Sequence, residues 1–266
     1  MFFQIKSYAK FFWYSKNEYS VHSPFVFDLL TKCFYDRKNF DDYGKLSAFR
    51  KSLSEDKSTI EVTDFGAGSK VFKSNTRRIA DIAKNAGISP TRAMLLYRIS
   101  KYFKPENTLE IGTSVGLATA ALSIGNPSGK IITLEGCPQT ASTARKQFEK
   151  YNLDNIESRV GEFSELLTSF DLGLSTFDFG RSTFDLIYFD GNHQKEATLK
   201  YFDLLLSTAT NDSVWIFDDI HWSAGMEEAW ETIKQNPQVT VTIDTFQWGF
   251  VFFRKEQPKE HFIIRV

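Results

Sequence analysis

The sequence has little that would support a disulfide framework, a zinc site or a membrane span. Only two cysteines, Cys33 and Cys137, occur among 266 residues, far apart and without a CxxC pair or a Cys/His cluster. This usage argues against cysteine-rich classes and fits a reduced cytoplasm, where we expect the protein. No apolar run reaches the roughly 18 residues of a membrane span. The N-terminal stretch lacks the continuous apolar core and cleavage site of a signal peptide.

A concentration of positive charge is also missing. The formal net charge is −1, and Lys and Arg are scattered among Asp and Glu. The electrostatic footprint of a nucleic-acid binder is therefore absent, and we expect a small-molecule substrate and no nucleic-acid partner. Aromatic residues, by contrast, are abundant, with 26 phenylalanines. They predict an aromatic core, with an aromatic substrate pocket as an alternative use.

Two regions differ in pattern. Residues 1–105 are mainly helical, and we expect them to form a substrate pocket or lid, with dimer contacts as a further use. Within them, Ser23 and Ser89 each precede a proline, which predicts two capped helix starts. Residues 47–58 are polar and predict a mobile loop. At the N-terminus, Phe2, Ile5 and Phe12 fall on one helix face, which predicts packing on the domain or on a second subunit, with a membrane surface as the less favoured alternative.

The second region, residues 106–266, alternates strands and helices. This order predicts a Rossmann-like, doubly wound α/β fold with a mostly parallel seven-stranded sheet. The last two strands have only a short connection, which predicts an antiparallel hairpin at the sheet edge. Ligands of such sheets bind at the carboxyl ends of the strands, so we look for the chemistry there.

Two glycine loops compete for the role of ligand-binding turn. Residues 109–122, LEIGTSVGLATAAL, combine a preceding strand, a following helix and an acid, Glu135, at the end of the next strand. Residues 64–70, DFGAGSK, have the strand but no later strand with a terminal acid. This second loop is therefore either a plain tight turn or a loop over the pocket mouth with Lys70 or Lys73 near the substrate.

The spacing in the first loop is GxxxG, with Glu110 just before it. No second glycine is placed for a pyrophosphate, and the acid suits a ligand that carries an ammonium group. The E-x-G-x-x-x-G pattern with a downstream acid resembles the first two motifs of class I S-adenosylmethionine-dependent methyltransferases. The resemblance covers about 106–254 and includes the closing strand pair.

The resemblance implies a role for each position. Glu110 and the two loop glycines would line the amino-acid part of the cofactor, Glu135 would hold the ribose hydroxyls, and residues 161–163 would flank the adenine. The implied cofactor-binding residues are Glu110, Gly112, Thr113, Ser114, Val115, Gly116, Glu135, Gly136, Gly161, Glu162, Phe163 and Asp190.

Carboxylates end two further strands, at Asp190 and at Asp218-Asp219. We expect these strand ends to face one crevice, where three oxygen ligands would suit Mg²⁺ and a metal-held substrate hydroxyl. The pattern is similar to small-molecule O-methyltransferases of the catechol and caffeoyl-CoA type. Those enzymes carry Asn where this chain has Asp219, which leaves metal use and metal identity open.

His193 stands where the catechol-type enzymes carry a lysine base. We therefore name His193 and Asp190 as catalytic candidates, with His221 as a second base. The alternatives to a metal site are direct substrate contact or capping of the helices that follow, and the capping alternative applies to Asp190, Asp219, Asn192 and His193. Trp222 and Trp248 are expected to pack in the core, with pocket walls as the alternative.

Three functional hypotheses follow. The first is metal-assisted O-methylation of a small hydroxylated molecule. The second is a metal-independent small-molecule methyltransferase, and the third is a non-catalytic module that binds S-adenosylmethionine. Metal-dependent turnover separates the first from the second, and binding without turnover would favour the third.

Overall fold

The computed structural model describes residues 2–63, 74–171 and 183–266. The DFGAGSK loop with Lys70 and Lys73, and most of the insert before the strand that leads to Asp190, lie outside the described residues. Within the described ranges the chain forms helices and strands that we number in chain order.

The described α-helices are α1 Phe2–Tyr14, α2 Pro24–Leu29, α3 Tyr43–Ser54, α4 Ile79–Asn85, α5 Pro90–Phe103, α6 Leu117–Gly125, α7 Pro138–Lys150, α8 Phe163–Asp171, α9 Lys195–Leu205 and α10 Ala224–Gln235. One turn of π-helix, Leu30–Phe34, extends α2, and two short 3₁₀ turns are Glu18–Ser20 and Leu206–Thr208. Ser23 and Ser89 cap α2 and α5 through their side chains, as predicted.

The described strands are β1 Thr59–Glu61, β2 Thr76–Arg78, β3 Asn107–Ile111, β4 Lys130–Glu135, β5 Ile156–Val160, β6 Leu186–Phe189, β7 Val214–Asp218, β8 Val241–Asp244, β9 Trp248–Phe252 and β10 Glu260–Ile263. All seven strands predicted for the second region are present, and the predicted α/β fold class is confirmed.

The chain divides into two compact units, one of residues 36–166 and one of residues 1–35 with 167–266. We call them the central unit and the terminal unit. Both boundaries differ from the predicted division near residue 105. That division assigns a pocket or lid to 1–105 and a methyltransferase domain to 106–266, and it stays a prediction.

In the central unit, β3, β4 and β5 run parallel in that order. Strand β3 is buried along nearly its whole length, as expected for a parallel strand covered on both faces. A separate antiparallel ribbon joins β1 to β2. One prediction for this unit is wrong. Residues 47–54 belong to α3 rather than to a mobile loop.

In the terminal unit the strand order is β10-β8-β9-β7-β6. Strands β6 and β7 are parallel, and β9 runs antiparallel to both β7 and β8, which confirms the predicted hairpin. The additional strand β10 pairs in parallel outside β8, so the hairpin is not outermost on this side. The core is aromatic, as predicted, with Trp215, Trp230 and Trp248 almost fully buried.

Helix α1 differs from the expectation that its apolar face packs on the domain. Phe11 and Ser7 are buried, whereas Ile5 and Phe12 are exposed. Among the described residues, none of the helices combines the length and the apolar character needed to cross a membrane.

Candidate functional site

The first glycine loop connects β3 to α6 through backbone that favours glycine. Gly112, Ser114 and Gly116 have φ values of 103°, 50° and 87°. The amides of Gly112 and Thr113 donate to the Leu134 carbonyl at 2.9 and 3.0 Å. These bonds fix the loop to the neighbouring strand β4 before any ligand is present.

Gly116 is required for a second reason besides its φ value. A Cβ atom at this position would lie 2.5 Å from Cε1 of Phe148, which belongs to α7. Thr113 and Val115 turn their side chains into the interior, where they are 2% and 0% exposed. The loop is therefore a tightly packed turn between two strands and two helices of the central unit.

Glu110 lies directly before this loop and is fully buried. Its Oε2 accepts hydrogen bonds from the hydroxyls of Thr119 and Thr133, and the Thr133 hydroxyl also meets that of Thr113. Oε1, in contrast, has no hydrogen-bond partner among the described residues. Burial without a positive neighbour, together with repulsion from Glu135, outweighs the threonine hydrogen bonds and raises the pKa of Glu110 to about 7. Among the residues that the structure describes, no positive side chain balances this carboxyl group.

Glu135 ends β4 and joins the loop from the other side. Its Oε2 accepts from the amide of Ser114 at 2.8 Å, and its Oε1 accepts from the amide of Cys137 at 2.9 Å. The amide of Gly161 donates to the Glu135 carbonyl at 3.1 Å, and Glu162 and Phe163 follow. The central unit therefore brings together the predicted ammonium, ribose and adenine residues at the ends of β3, β4 and β5.

In the terminal unit, Asp190 and His193 form a pair after β6. The His193 Nε2 lies 3.6 Å from the Asp190 Oδ1, and both side chains are partly exposed. Asn192 between them has a φ of 51°. Gln194 occupies the N-cap position of α9, so neither member of the pair caps that helix and the capping alternative is wrong for both. Asn192 does not occupy the cap position either.

Asp218 ends β7 and is almost fully buried. Its Oδ1 accepts from the amide of Asp219 at 2.8 Å, and its Oδ2 accepts from the hydroxyl of Tyr188 at 3.2 Å. Asp219 has a φ of 55°. Ser223 caps α10, accepting a hydrogen bond from the amide of Met226, so Asp219 is not the cap of that helix. Trp248 packs edge-on against Tyr188, which confirms its core role.

His221, the second candidate base, has a different environment. Its Nδ1 lies 2.7 Å from Oε1 of Glu227, and its Nε2 lies 2.9 Å from Oδ2 of Asp244. The ring also stacks on Phe246. Burial lowers the pKa of His221, but the hydrogen bonds and charges of Asp244 and Glu227 outweigh it, and the pKa is raised. Both ring nitrogens are engaged, so the group is suited to holding α10 and β8 together rather than to accepting a proton.

The three predicted metal ligands lie at the ends of β6 and β7. Within the described ranges, no group of three His, Cys, Asp or Glu side chains is arranged to hold a metal ion. Both oxygens of Asp218 accept hydrogen bonds from protein groups. The metal role of Asp190, Asp218 and Asp219 stays a prediction.

Comparison with known proteins supports the fold. Residues 109–220 match the family model described as a methyltransferase domain. No curated protein shows significant sequence similarity to the chain. Among solved structures, the chain resembles the O-methyltransferase from Bacillus cereus in complex with SAH, at 20% identity and a TM-score of 0.53, covering 82% of this chain and 92% of that one.

Two further solved structures are similar to the same extent. The O-methyltransferase TomG from Streptomyces achromogenes, in complex with SAM, shows 16% identity and a TM-score of 0.54, covering 85% of this chain and 92% of that one. The SAH-bound methyltransferase PaMTH1 from Podospora anserina shows 16% identity and a TM-score of 0.53, covering 82% and 98%.

The fold is that of the class I methyltransferases, and residues 109–220 match a methyltransferase domain. The predicted resemblance to the class I S-adenosylmethionine-dependent methyltransferases is confirmed, and so is the prediction that the chain is a methyltransferase.

Proposed function

We propose that the protein transfers a methyl group from S-adenosylmethionine to a hydroxyl group of a small molecule. The observation that carries the proposal is Glu110, a fully buried carboxyl group with one unpartnered oxygen directly before the glycine loop. Such a group favours a ligand that brings a hydrogen-bond donor with positive charge. The ammonium group of S-adenosylmethionine meets this need. The SAM and SAH in the solved structures named above support the same ligand.

The central unit supplies the remaining cofactor contacts that we propose. Gly112 and Gly116 let the backbone approach the ligand closely, and Thr113, Ser114 and Val115 provide the loop between them. Glu135 binds the ribose hydroxyls, because it ends β4 beside the glycine loop and its carboxylate is oriented there by the amides of Ser114 and Cys137. Gly136 and residues 161–163 border the ribose and the adenine. The predicted cofactor contact of Asp190 stays a prediction.

When bound, S-adenosylmethionine supplies a methyl group activated by its sulfonium centre. The proposed work of the protein is to orient the substrate and remove its hydroxyl proton. Neutral His193 accepts that proton, and the carboxylate of Asp190, 3.6 Å from Nε2, stabilises the imidazolium that forms. This pair requires no metal ion.

The described side chains therefore favour a metal-independent reaction. The Mg²⁺-assisted form was predicted from three strand-end carboxylates and from the similarity to catechol-type enzymes, but Asp218 is held by Tyr188 and by the amide of Asp219. We derive no step through a metal.

Calorimetric titration with S-adenosylmethionine tests the cofactor site. We expect binding by the wild type and a loss of at least about tenfold in Glu135→Ala, because two ribose hydrogen bonds disappear. Glu157→Ala is the matched control, an acid on the adjacent strand that pairs with Arg159 at 2.6 Å and does not touch the loop. Failure of the wild type to bind would contradict the proposal, and equal losses in both variants would reject the assigned role of Glu135.

Turnover on a panel of catechols and other hydroxylated molecules tests the catalytic pair. We expect His193→Gln to lower kcat by about 100-fold or more while cofactor affinity is unchanged. His261→Gln, on β10, serves as the control histidine. Each assay is run with Mg²⁺ and with EDTA. Activity abolished by EDTA and restored by Mg²⁺ would overturn the metal-independent form, and binding without any turnover would point to a non-catalytic module.

A further inference from the structure

Helix α1 carries an apolar stripe that faces solvent. The stripe consists of Ile5, Tyr8, Ala9, Phe12 and Trp13, whose spacing of i, i+3, i+4, i+7 and i+8 places them on one face of a helix. Ile5 is 62% exposed, Tyr8 52%, Phe12 50% and Trp13 82%. A face of this kind is normally buried, and an exposed apolar patch of this size marks an interaction surface.

The opposite face of α1 anchors the helix to the terminal unit. Phe11 is buried, and its ring lies 5.5 Å from that of Phe246. At the end of the helix, the amide of Lys16 donates to the Ile263 carbonyl at 2.8 Å. The helix is thus held on one side by its own unit, so the exposed stripe is a fixed feature rather than a frayed end.

The charged side chains of residues 1–17 all have one sign. Residues 1–17 contain Lys6, Lys10 and Lys16 and no Asp or Glu. Both Lys6 and Lys10 are exposed. The guanidinium of Arg265 adds a further positive charge, 4.2 Å from the centre of the Phe12 ring. A partner that covers the stripe should therefore carry negative charge where it meets these lysines and Arg265.

A second copy of the chain fits this surface poorly. A helix of 13 residues is about 20 Å long and about 10 Å wide. The area it offers is well below the roughly 800 Å² per partner of a stable interface. Pairing two such stripes about a two-fold axis would also bring lysines towards lysines without an acid from residues 1–17 between them.

A membrane surface with anionic lipids meets both conditions. Trp and Tyr prefer the boundary between lipid headgroups and acyl chains, and lysines at that boundary are attracted to anionic headgroups. We propose that α1 docks the protein on an anionic lipid bilayer, with the stripe inserted parallel to the surface and Lys6 and Lys10 among the headgroups. The inference does not depend on the proposed reaction.

Vesicle co-sedimentation of the full chain tests the docking surface. We expect the wild type to bind vesicles of 30% phosphatidylglycerol in phosphatidylcholine about tenfold more strongly than pure phosphatidylcholine, with binding reduced by added salt. Phe12→Ser combined with Trp13→Ser should lower binding by at least about tenfold. Phe27→Ser, an exposed aromatic on α2, is the matched control and should bind as the wild type does.

Two further measurements make the result decisive. Lys6→Gln combined with Lys10→Gln should remove the preference for anionic vesicles, whereas Lys51→Gln, an exposed lysine on α3, should retain it. Trp13 fluorescence should shift to shorter wavelength on vesicle addition in the wild type. Absence of vesicle binding by the wild type, or equal binding to neutral and anionic vesicles, would overturn the proposal. A dimer that dissociates in the Phe12/Trp13 variant, without vesicle binding, would assign the stripe to a second copy instead.

Discussion

Glu110 in the central unit and His221 in the terminal unit are both ionisable side chains withdrawn from water, and the pKa of each is raised. The consequences for charge are opposite. Around Glu110 the partners are neutral threonine hydroxyls, so burial favours the uncharged carboxyl group. Around His221 two carboxylates lie within 3 Å of the ring nitrogens, so the positive imidazolium is favoured in spite of burial.

This difference in partners distinguishes the candidate ligand site at Glu110 from the structural cluster at His221. The His221 cluster pairs one imidazolium with two carboxylates, so the positive charge has its partners within the chain. Glu110 has no such partner among the described residues, and one of its oxygens accepts no hydrogen bond. A buried group in that condition is a candidate for function because something outside the chain can complete it.

The largest expected effect comes from breaking the loop that encloses Glu110. Gly116→Ala places a Cβ 2.5 Å from the Phe148 ring at a φ of 87°, so either the ring or the loop has to move. Left-handed strain and overpacking together predict a loss of about 4 kcal/mol in the free energy of unfolding. Urea denaturation measures it. Gly44→Ala is the matched control, since its Cβ meets nothing within 4 Å. A cost below about 1 kcal/mol for Gly116→Ala would show that the loop is not tightly packed.

The second prediction tests whether Glu110 is neutral in the folded state. Its pKa rises from 4.5 to about 7 on folding, so the wild type loses stability as pH increases through this window. The loss amounts to about 3 kcal/mol. Glu110→Gln removes this titration, so the difference in unfolding free energy between variant and wild type should shift by that amount in favour of the variant between pH 4.5 and pH 8. A difference independent of pH would mean that Glu110 has an ordinary pKa.

The third prediction asks what completes Glu110. If the ammonium group of S-adenosylmethionine pairs with the carboxylate, binding requires Glu110 to lose its proton. Affinity should then increase about 100-fold from pH 5 to pH 7 and change little above. Calorimetry in buffers of different ionisation enthalpy should detect the released proton. The Glu110→Gln variant should bind more weakly and lose the pH dependence. A pH-independent affinity of the wild type would remove the ammonium pairing from the proposed function.

Much of the fold could be predicted because its signals are local. The strand, glycine turn and helix at residues 107–125 follow one another in sequence, and each is marked by residue type. Helix α3 was missed although Leu46, Phe49 and Leu53, spaced i, i+3 and i+7, are buried on one face, because the residues between them are polar. Strand β10 was missed because its partner β8 lies about 19 residues earlier and its own four residues alternate weakly.

In the candidate site, too, some features could be predicted from the sequence and others could not. The glycine loop and Glu135 were predictable because backbone conformation and strand-end position are sequence properties. The hydrogen bonds of Asp218 to Tyr188 and of His221 to Asp244 were not predictable, because each joins residues far apart in the chain. Tyr188, which bonds Asp218, is 30 residues away, and Asp244, which holds His221, is 23 residues away. No spacing rule connects such pairs, so the sequence could not show that Tyr188 and Asp244 engage these side chains.

The smallest expected effect concerns the cluster of His221, Glu227 and Asp244. A second histidine, His261, should show the opposite dependence of stability on pH. Because the pKa of His221 is raised, its contribution to stability is fully present below pH 6.5 and is lost as pH increases through the raised value. His221→Gln should therefore cost about 1 to 2 kcal/mol at pH 6 and less at pH 9. Chemical denaturation at both pH values measures the difference.

His261, which lies 2.8 Å from the hydroxyl of Thr242, is the control for sign. Burial, with Lys234 and Lys259 nearby, lowers its pKa, so the folded state disfavours its charged form and loses stability as pH decreases below 6.5. His261→Gln removes that loss, and its effect relative to the wild type should become more favourable at low pH, opposite to His221→Gln. If both variants followed the same pH trend, the carboxylates of Glu227 and Asp244 would not be stabilising an imidazolium. The contrast between a charged His221 and a neutral Glu110 would then be wrong.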